Sequence, residues 1–299
     1  MSFHKIVCVA LVASAALCVG CERETNYIRV DDDSVVESAP QEATPAPETA
    51  SAESAKPAEP VFSEDGKRVE IAVGDGEVFS GATDAARLAK VKVVRGSGRL
   101  SREGLLALSN ASELVELLWS DAILVDEPGD AFAQLSRLPR LKKVRFVGLC
   151  VEKTNEFPSG ALDAFGRLPA LEDLDVSGSP LASLSGVDWK SAFPKLSRLN
   201  LYQTSVGNAD VETLVPASDR LVWLNLDATQ ITPDCADALA RFENLTFLHV
   251  GRTTLDDASL AKLGALKQLK KIHVTRTRAT ASGVDALRGA LPNCEIVAD

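Results

Sequence analysis

Between Leu171 and Cys294 the apolar residues fall into one arrangement that recurs about every 25 positions. Leu196-Ser-Arg-Leu-Asn-Leu-Tyr-Gln-Thr-Ser-Val206, Leu221-Val-Trp-Leu-Asn-Leu-Asp-Ala-Thr-Gln-Ile231 and Leu245-Thr-Phe-Leu-His-Val-Gly-Arg-Thr-Thr-Leu255 are three copies, and Leu269-Lys-Lys-Ile-His-Val begins a fourth. Each reads L-x-x-L-x-L-x-x-T-x-L. The alternating L-x-L piece predicts a short strand with Leu199/Leu201, Leu224/Leu226, Leu248/Val250 and Ile272/Val274 facing inward and the intervening residues facing out. The other half of each unit has helical spacing. Pro233 stands near the start of one such stretch, and Asp256 and Ser282 supply side chains that cap free N–H groups in two others. A strand, a helix and a parallel strand in turn predict an α/β solenoid. Helices are wider than the strand spacing, so this solenoid should bend into a horseshoe with a concave parallel β-sheet and convex helices.

Taking the first Leu of each unit as its start gives Leu88, Leu114, Leu141, Leu171, Leu196, Leu221, Leu245 and Leu269, about eight repeats, with a partial unit at Cys294. Early units carry the extra stretches 96–100, 125–129, 152–158 and 183–189, expected as surface loops. Val69 to Val73 alternates like a strand and is expected to cap the N-terminal end, protecting an edge that would otherwise pair with other chains. Thr204, Thr229, Thr253 and Thr277 recur where a buried hydroxyl can bond the backbone of the turn leaving the strand, a structural role.

The repeats, together with Thr204-Ser-Val-Gly-Asn208, resemble those of leucine-rich repeat proteins, of the ribonuclease-inhibitor-like type common in bacterial envelope and exported proteins. The resemblance covers 88–298 well and 67–87 poorly. Its motif is specific for fold and unspecific for function. What it implies is protein–protein recognition by the concave sheet, without catalysis.

Ahead of the repeats the chain changes character. His4 and Lys5 precede an uncharged apolar run, 6–20, which is shorter than the ~20 residues a membrane-spanning helix needs. The run ends in Val19-Gly20-Cys21 and resembles a bacterial lipoprotein signal, although Cys18 stands where Leu is usual. Residues 1–20 are expected as the signal and Cys21 as the lipidated residue. Residues 21–65 are rich in Pro, Ala, Glu, Ser and Thr without apolar periodicity. They cannot bury enough surface to offset the entropy of ordering them, so they read as a disordered tether to a repeat domain at 66–299. Residues 1–65 hold 12 acids against 4 bases and residues 66–299 hold 30 against 28, so the net charge of −10 sits mainly in the leader and tether. Such a balance argues against nucleic acid as a partner, since phosphate binding needs a concentrated basic face. With Cys8, Cys18 and Cys21 assigned to the leader, Cys150, Cys235 and Cys294 remain. Three widely spaced cysteines are no disulfide framework. Cys235 and Cys294 are expected in the core and Cys150 at an outward position.

Only 5% of the chain is aromatic, which points to a core of aliphatic layers and makes outward aromatic residues noteworthy. The outward positions, with the turn that follows, carry Arg198, Asn200 and Tyr202; Trp223, Asn225 and Asp227; Phe247, His249 and Arg252; and Lys271, His273 and Arg276. Tyr202, Trp223 and Phe247 should lie within two strand spacings. Either they form the centre of a partner-binding surface, or Trp223 and Phe247 merely pack on each other as cross-strand pairs do. His249 and His273 should sit ~4.8 Å apart, too few ligands for a zinc site. No metal and no cofactor is expected. The folded part contains no G-x-S-x-G, H-E-x-x-H or phosphate-binding glycine loop. The expectation is a non-catalytic protein-binding module, exported and lipid-anchored to the cell membrane or outer membrane. The alternative is an envelope scaffold acting by self-association, with an enzyme a distant third.

Overall fold

A computed structural model describes residues 56–81 and 85–299, which belong to one compact unit spanning Ala50–Asp299. Cys21, the signal and most of the tether lie outside the described residues. Among the described residues twelve strands form one sheet. From the C-terminal edge inward its order is β14 (Glu295–Val297), β13 (Lys271–His273), β12 (Phe247–His249), β11 (Trp223–Asn225), β10 (Arg198–Asn200), β9 (Asp173–Asp175) and β7 (Lys143–Phe146). The longer β6 (Glu116–Leu124) and β5 (Val93–Leu100) follow, then β3 (Arg68–Ala72) and β2 (Val61–Phe62). The small strand β8 (Cys150–Val151) pairs with the far end of β6. All pairings are parallel except β2 with β3. Two further short strands, β1 (Lys56–Pro57) and β4 (Glu77–Val78), pair with each other. Strands β1 and β2 thus fall within the stretch read as tether.

Helices return the chain between strands: α1 (Ala85–Leu88), α2 (Arg102–Ser109), α3 (Ala131–Leu135), α4 (Ala161–Gly166), α5 (Asn208–Leu214), α6 (Ala236–Leu239), α7 (Asp257–Leu263) and α8 (Ala281–Ala290). Polar side chains cap three of these starts, those of α2, α7 and α8. The Asp256 carboxylate accepts the Ser259 N–H at 2.9 Å, and Thr280 caps α8 two residues ahead of the expected Ser282. No helix among the described residues is long and apolar enough to cross a membrane. The core lies between sheet and helices. Leu199, Leu201, Leu224, Leu226, Leu248, Val250 and Ile272 are fully buried on the sheet side, facing Leu214, Leu239 and Leu263 from the helices.

The turn leaving each short strand is built from three periodic devices. The sheet ladder runs one step past the strand, with Leu201 N–H donating to the Asn225 carbonyl and Leu226 N–H to that of His249. Two residues on, Gln203, Ala228, Arg252 and Arg276 all adopt the left-handed conformation (φ 50 to 54°), although none is glycine. That conformation costs an L-residue roughly 1–2 kcal/mol. Here the N–H it aims sideways finds the neighbouring turn: Gln203 donates to Asp227, Ala228 to Gly251 and Arg252 to Thr275. The threonine hydroxyls then close their own turns, donating to the carbonyls of Leu201, Leu226, Val250 and Val274 at 2.6 to 2.9 Å. The structural role expected of these threonines is what the bonds display.

Several expectations are corrected. In the first unit the sheet register pairs Val94 with Leu117, so Val91, not Leu88, matches Leu114; Leu88 closes α1. The outward residues there are therefore Val93, Arg95 and Ser97. Residues 96–100 are strand, not loop. Gly96 lies against the Trp119 ring, where a Cβ would come within 2.2 Å, and Gly98 (φ 88°) at the adjoining register shift accepts the Trp119 indole N–H at 2.9 Å. Those glycines make room for a buried tryptophan, which their turn-like composition conceals. The stretch 183–189 is the surface loop expected, with Ser183, Ser185, Gly186 and Asp188 exposed, but it sends Trp189 inward: that ring is fully buried, donates to the Leu184 carbonyl at 3.1 Å and stacks on Phe193 at 4.8 Å. Cys150 is buried rather than outward, because β8 departs from the repeat frame after the left-handed Gly148. The core is accordingly not purely aliphatic. Cys235 is buried, and burial pushes its thiol pKa up to about 12; Cys294 is only partly buried.

Candidate functional site

The three-residue strands bring their outward side chains into rows along the sheet. Register pairs Arg198 with Trp223, Trp223 with Phe247 and Phe247 with Lys271 in one row, and Asn200 with Asn225, Asn225 with His249 and His249 with His273 in the next. Neighbouring parallel strands lie ~4.8 Å apart, close to the thickness of stacked rings plus a small offset. Trp223 and Phe247 take that arrangement, with ring centres 4.8 Å apart and planes 6° from parallel. The Arg198 guanidinium covers the other face of Trp223 at 4.6 Å, and His273 lies 5.6 Å from the far side of Phe247. Trp223 and Phe247 thus pack on each other as a cross-strand pair, and both stay partly exposed on the outer face.

A polar cluster adjoins the stack. Asn225 Oδ1 accepts the Asp227 N–H at 2.9 Å, and Asn200 does the same for Tyr202 at 3.1 Å, which ends each strand and starts its turn. The Asp227 side chain is turned under the face and is 1% exposed. Arg252 meets it with both forks, Nε to Oδ1 at 3.0 Å and Nη2 to Oδ2. This bidentate bond is the first cause of the raised Arg252 pKa. The same guanidinium sits 5.0 Å over the Tyr202 ring. Gly251 leaves room beside them: a Cβ there would come within 3.1 Å of Asp227 Oδ1 and 3.0 Å of the Thr275 carbonyl, closer than ordinary contact.

His249 Nδ1 is 3.3 Å from Asp227 Oδ2 but makes no hydrogen bond there. Burial lowers the His249 pKa to about 4; Asp227 pulls it upward, while His273 and Arg252 push it down. His273, 4.5 Å away between ring centres, is also lowered, first by burial and then by Lys271. Both imidazoles are therefore neutral at neutral pH. Among the described residues no group of three or more His, Cys, Asp or Glu is placed to hold a metal.

Tyr202, Trp223, Asn225, Asp227, Phe247, His249, Arg252 and His273 thus form one contiguous patch. Lys271 and Arg276 stand at its margin: Lys271 Nζ bonds Glu295 at 2.9 Å, and the Arg276 backbone N–H donates to the Asp299 carboxylate. The patch also extends toward β9 and β7. Arg198 belongs to it, and beyond Arg198 a lateral ion-pair lattice runs across three strands. Asp173 lies 3.6 Å from both Lys143 and Arg198, and Asp175 lies 2.9 Å from Arg145. Burial raises the Asp173 pKa against the pull of these cations. The signal for Arg198 is its register alone, 25 residues before Trp223.

No model of a known protein family matches the sequence, and no curated protein does. Among solved structures, internalin C2 of Listeria monocytogenes superposes with a TM-score of 0.53 at 17% identity, over 73% of this chain and 84% of that one. Human 5T4 (Wnt-activated inhibitory factor 1, trophoblast glycoprotein) gives 0.51 at 22% identity, over 82% and 80%. Identities this low speak to architecture only. The architecture shared is strand, turn and helix stacked on one continuous core, and by its fold this chain is an α/β leucine-rich repeat solenoid.

Proposed function

We propose that this chain is a non-catalytic protein-recognition module whose partner docks on the outer face of the sheet, centred on Trp223 and Phe247. The observation that carries this reading is a partly exposed aromatic pair beside Tyr202 and two arginines, in a chain whose other two tryptophans are fully buried. Trp, Tyr and Arg are the residue types that dominate interface energies. Catalysis and cofactors have no part in it. The ribonuclease-inhibitor-like repeat type, export, and anchoring to a bacterial envelope membrane through lipid on Cys21 complete the proposal and rest on the sequence. Capture from detergent-solubilised envelope with wild-type and Trp223→Ala chains tests the recognition. A partner held by the first and lost by the second is the expected result. Retention by both removes the face as the site, and recovery of this chain alone favours a self-assembling scaffold. Radioactive palmitate incorporated by wild type but not by Cys21→Ser is the expected sign of the anchor.

A further inference from the structure

On the reading that this face takes a partner, the geometry points to the kind of partner: a protein surface that presents carboxylates around an apolar side chain. Three features lead there. The first is the orientation of the rings. Trp223 and Phe247 cover each other, and Arg198 and His273 occupy the two outer flanks of the stack. What remains for a ligand is a ridge of ring edges, and the edge is the positive part of an aromatic quadrupole. A nucleic-acid strand binds aromatic side chains by stacking bases on free ring faces. The faces here are taken, so the stack suits aliphatic stems and anions instead.

The second feature is the depth at which each charge sits. The acids form the floor: side-chain exposure is 1% for Asp227, 7% for Asp175 and 19% for Asp173. The cations form the outer layer: Arg145 is 34%, Arg252 35% and Arg198 41% exposed. An approaching surface meets positive charge on a chain whose net charge is −10.

Hydrogen-bond supply gives the third. Three acceptors beside the rings are consumed internally, Asn200 Oδ1 and Asn225 Oδ1 by turn N–H groups and Asp227 by Arg252. The Nη groups of Arg145 and Arg198 and the Nδ2 groups of Asn200 and Asn225 donate to nothing among the described residues. A face left with donors calls for a partner that brings acceptors, and planar guanidinium forks match carboxylates.

The test uses the full chain and a random copolymer of glutamate and tyrosine, followed by isothermal titration calorimetry, a readout that survives removal of Trp223. The expected result is binding that weakens steeply between about 50 and about 500 mM salt. Arg198→Gln and Trp223→Ala should each weaken it about tenfold, while a lysine–tyrosine copolymer does not bind. No binding of the glutamate copolymer, or binding unchanged in Arg198→Gln, overturns the inference. So does oligo-deoxythymidine bound as tightly as the copolymer. The salt titration needs no variant, and thermal unfolding establishes that Arg198→Gln is folded. A native partner that requires Trp223 but tolerates both Arg198→Gln and high salt sinks the acidic partner alone. One indifferent to Trp223 sinks the docking face itself.

Discussion

The N-terminal and C-terminal parts of the sheet share one architecture and hold it together differently. Across β5 to β7 the strands run four to nine residues and the unit spacings are uneven: Val91 to Leu114 is 23, Leu114 to Leu141 is 27 and Leu141 to Leu171 is 30. The gaps this leaves are filled by large rings. Phe79 packs against Trp119, and Phe132, Phe146 and Phe165 form a three-ring cluster with centres 5.5 to 6.2 Å apart. From β10 to β13 the spacings are 25, 24 and 24 and every strand has three residues. Layers of equal size fill mainly with Leu, Val and Ile, with Phe242 as a buried ring among them, and the turns are closed by threonine hydroxyls and left-handed backbone. Regular spacing therefore frees most of the aromatic residues there from packing duty. In the C-terminal part Tyr202, Trp223 and Phe247 sit on the outer face, whereas tryptophans 119 and 189 serve the core.

The sharpest way to break this comparison is to remove a space-filling ring. Trp119→Ala should cost about 4 kcal/mol in urea unfolding, since it leaves a large cavity and strips the Gly98 carbonyl of its donor. A loss near 1 kcal/mol would mean that the uneven region tolerates voids and that its aromatic residues are incidental.

Acidification should load the C-terminal part next. His249 is neutral when folded, with its pKa lowered to about 4 from the ordinary 6.5, so the unfolded chain binds the proton more readily. Stability is complete above pH 6.5 and declines as pH falls toward 4, by about 2 kcal/mol at pH 5. Comparing denaturation midpoints at pH 7 and pH 5 for wild type and His249→Asn isolates this term. The asparagine matches Asn200 and Asn225 in the same row, so the variant should show the smaller drop.

Thr229→Val removes one hydroxyl from the turn ladder at constant shape and leaves the Leu226 carbonyl short of a partner. The expected loss is about 1 kcal/mol by calorimetry. Ala228→Gly relieves left-handed strain but loosens the unfolded chain, so a small gain of about 0.5 kcal/mol is expected. A loss there would show that the methyl group packs rather than strains.

Much of the fold is legible in residue order. Strand positions from Asp173 onward, the inward apolar residues of each strand, the threonine turns and the Asp256 cap all follow from periodicity and side-chain chemistry. Legibility fails where spacing is uneven. A run such as Gly96-Ser-Gly98 carries the composition of a turn, and only the ring packed against it makes it strand. For the face, register put Trp223 beside Phe247 and His249 beside His273. Sequence also placed Asp227 among outward residues, yet its carboxylate lies underneath, because Gly251 leaves the space and Arg252 comes from the next turn to neutralise it.

The repeat period by itself determined the solenoid, since a unit that cannot bury its apolar side alone has to stack on its neighbours. Which side of each ring is covered, which carboxylates sink below the arginines and which donors stay unspent were decided only in three dimensions. Those outcomes depend on contacts between residues 24 to 50 positions apart, whose distances, planes and burial no local pattern encodes.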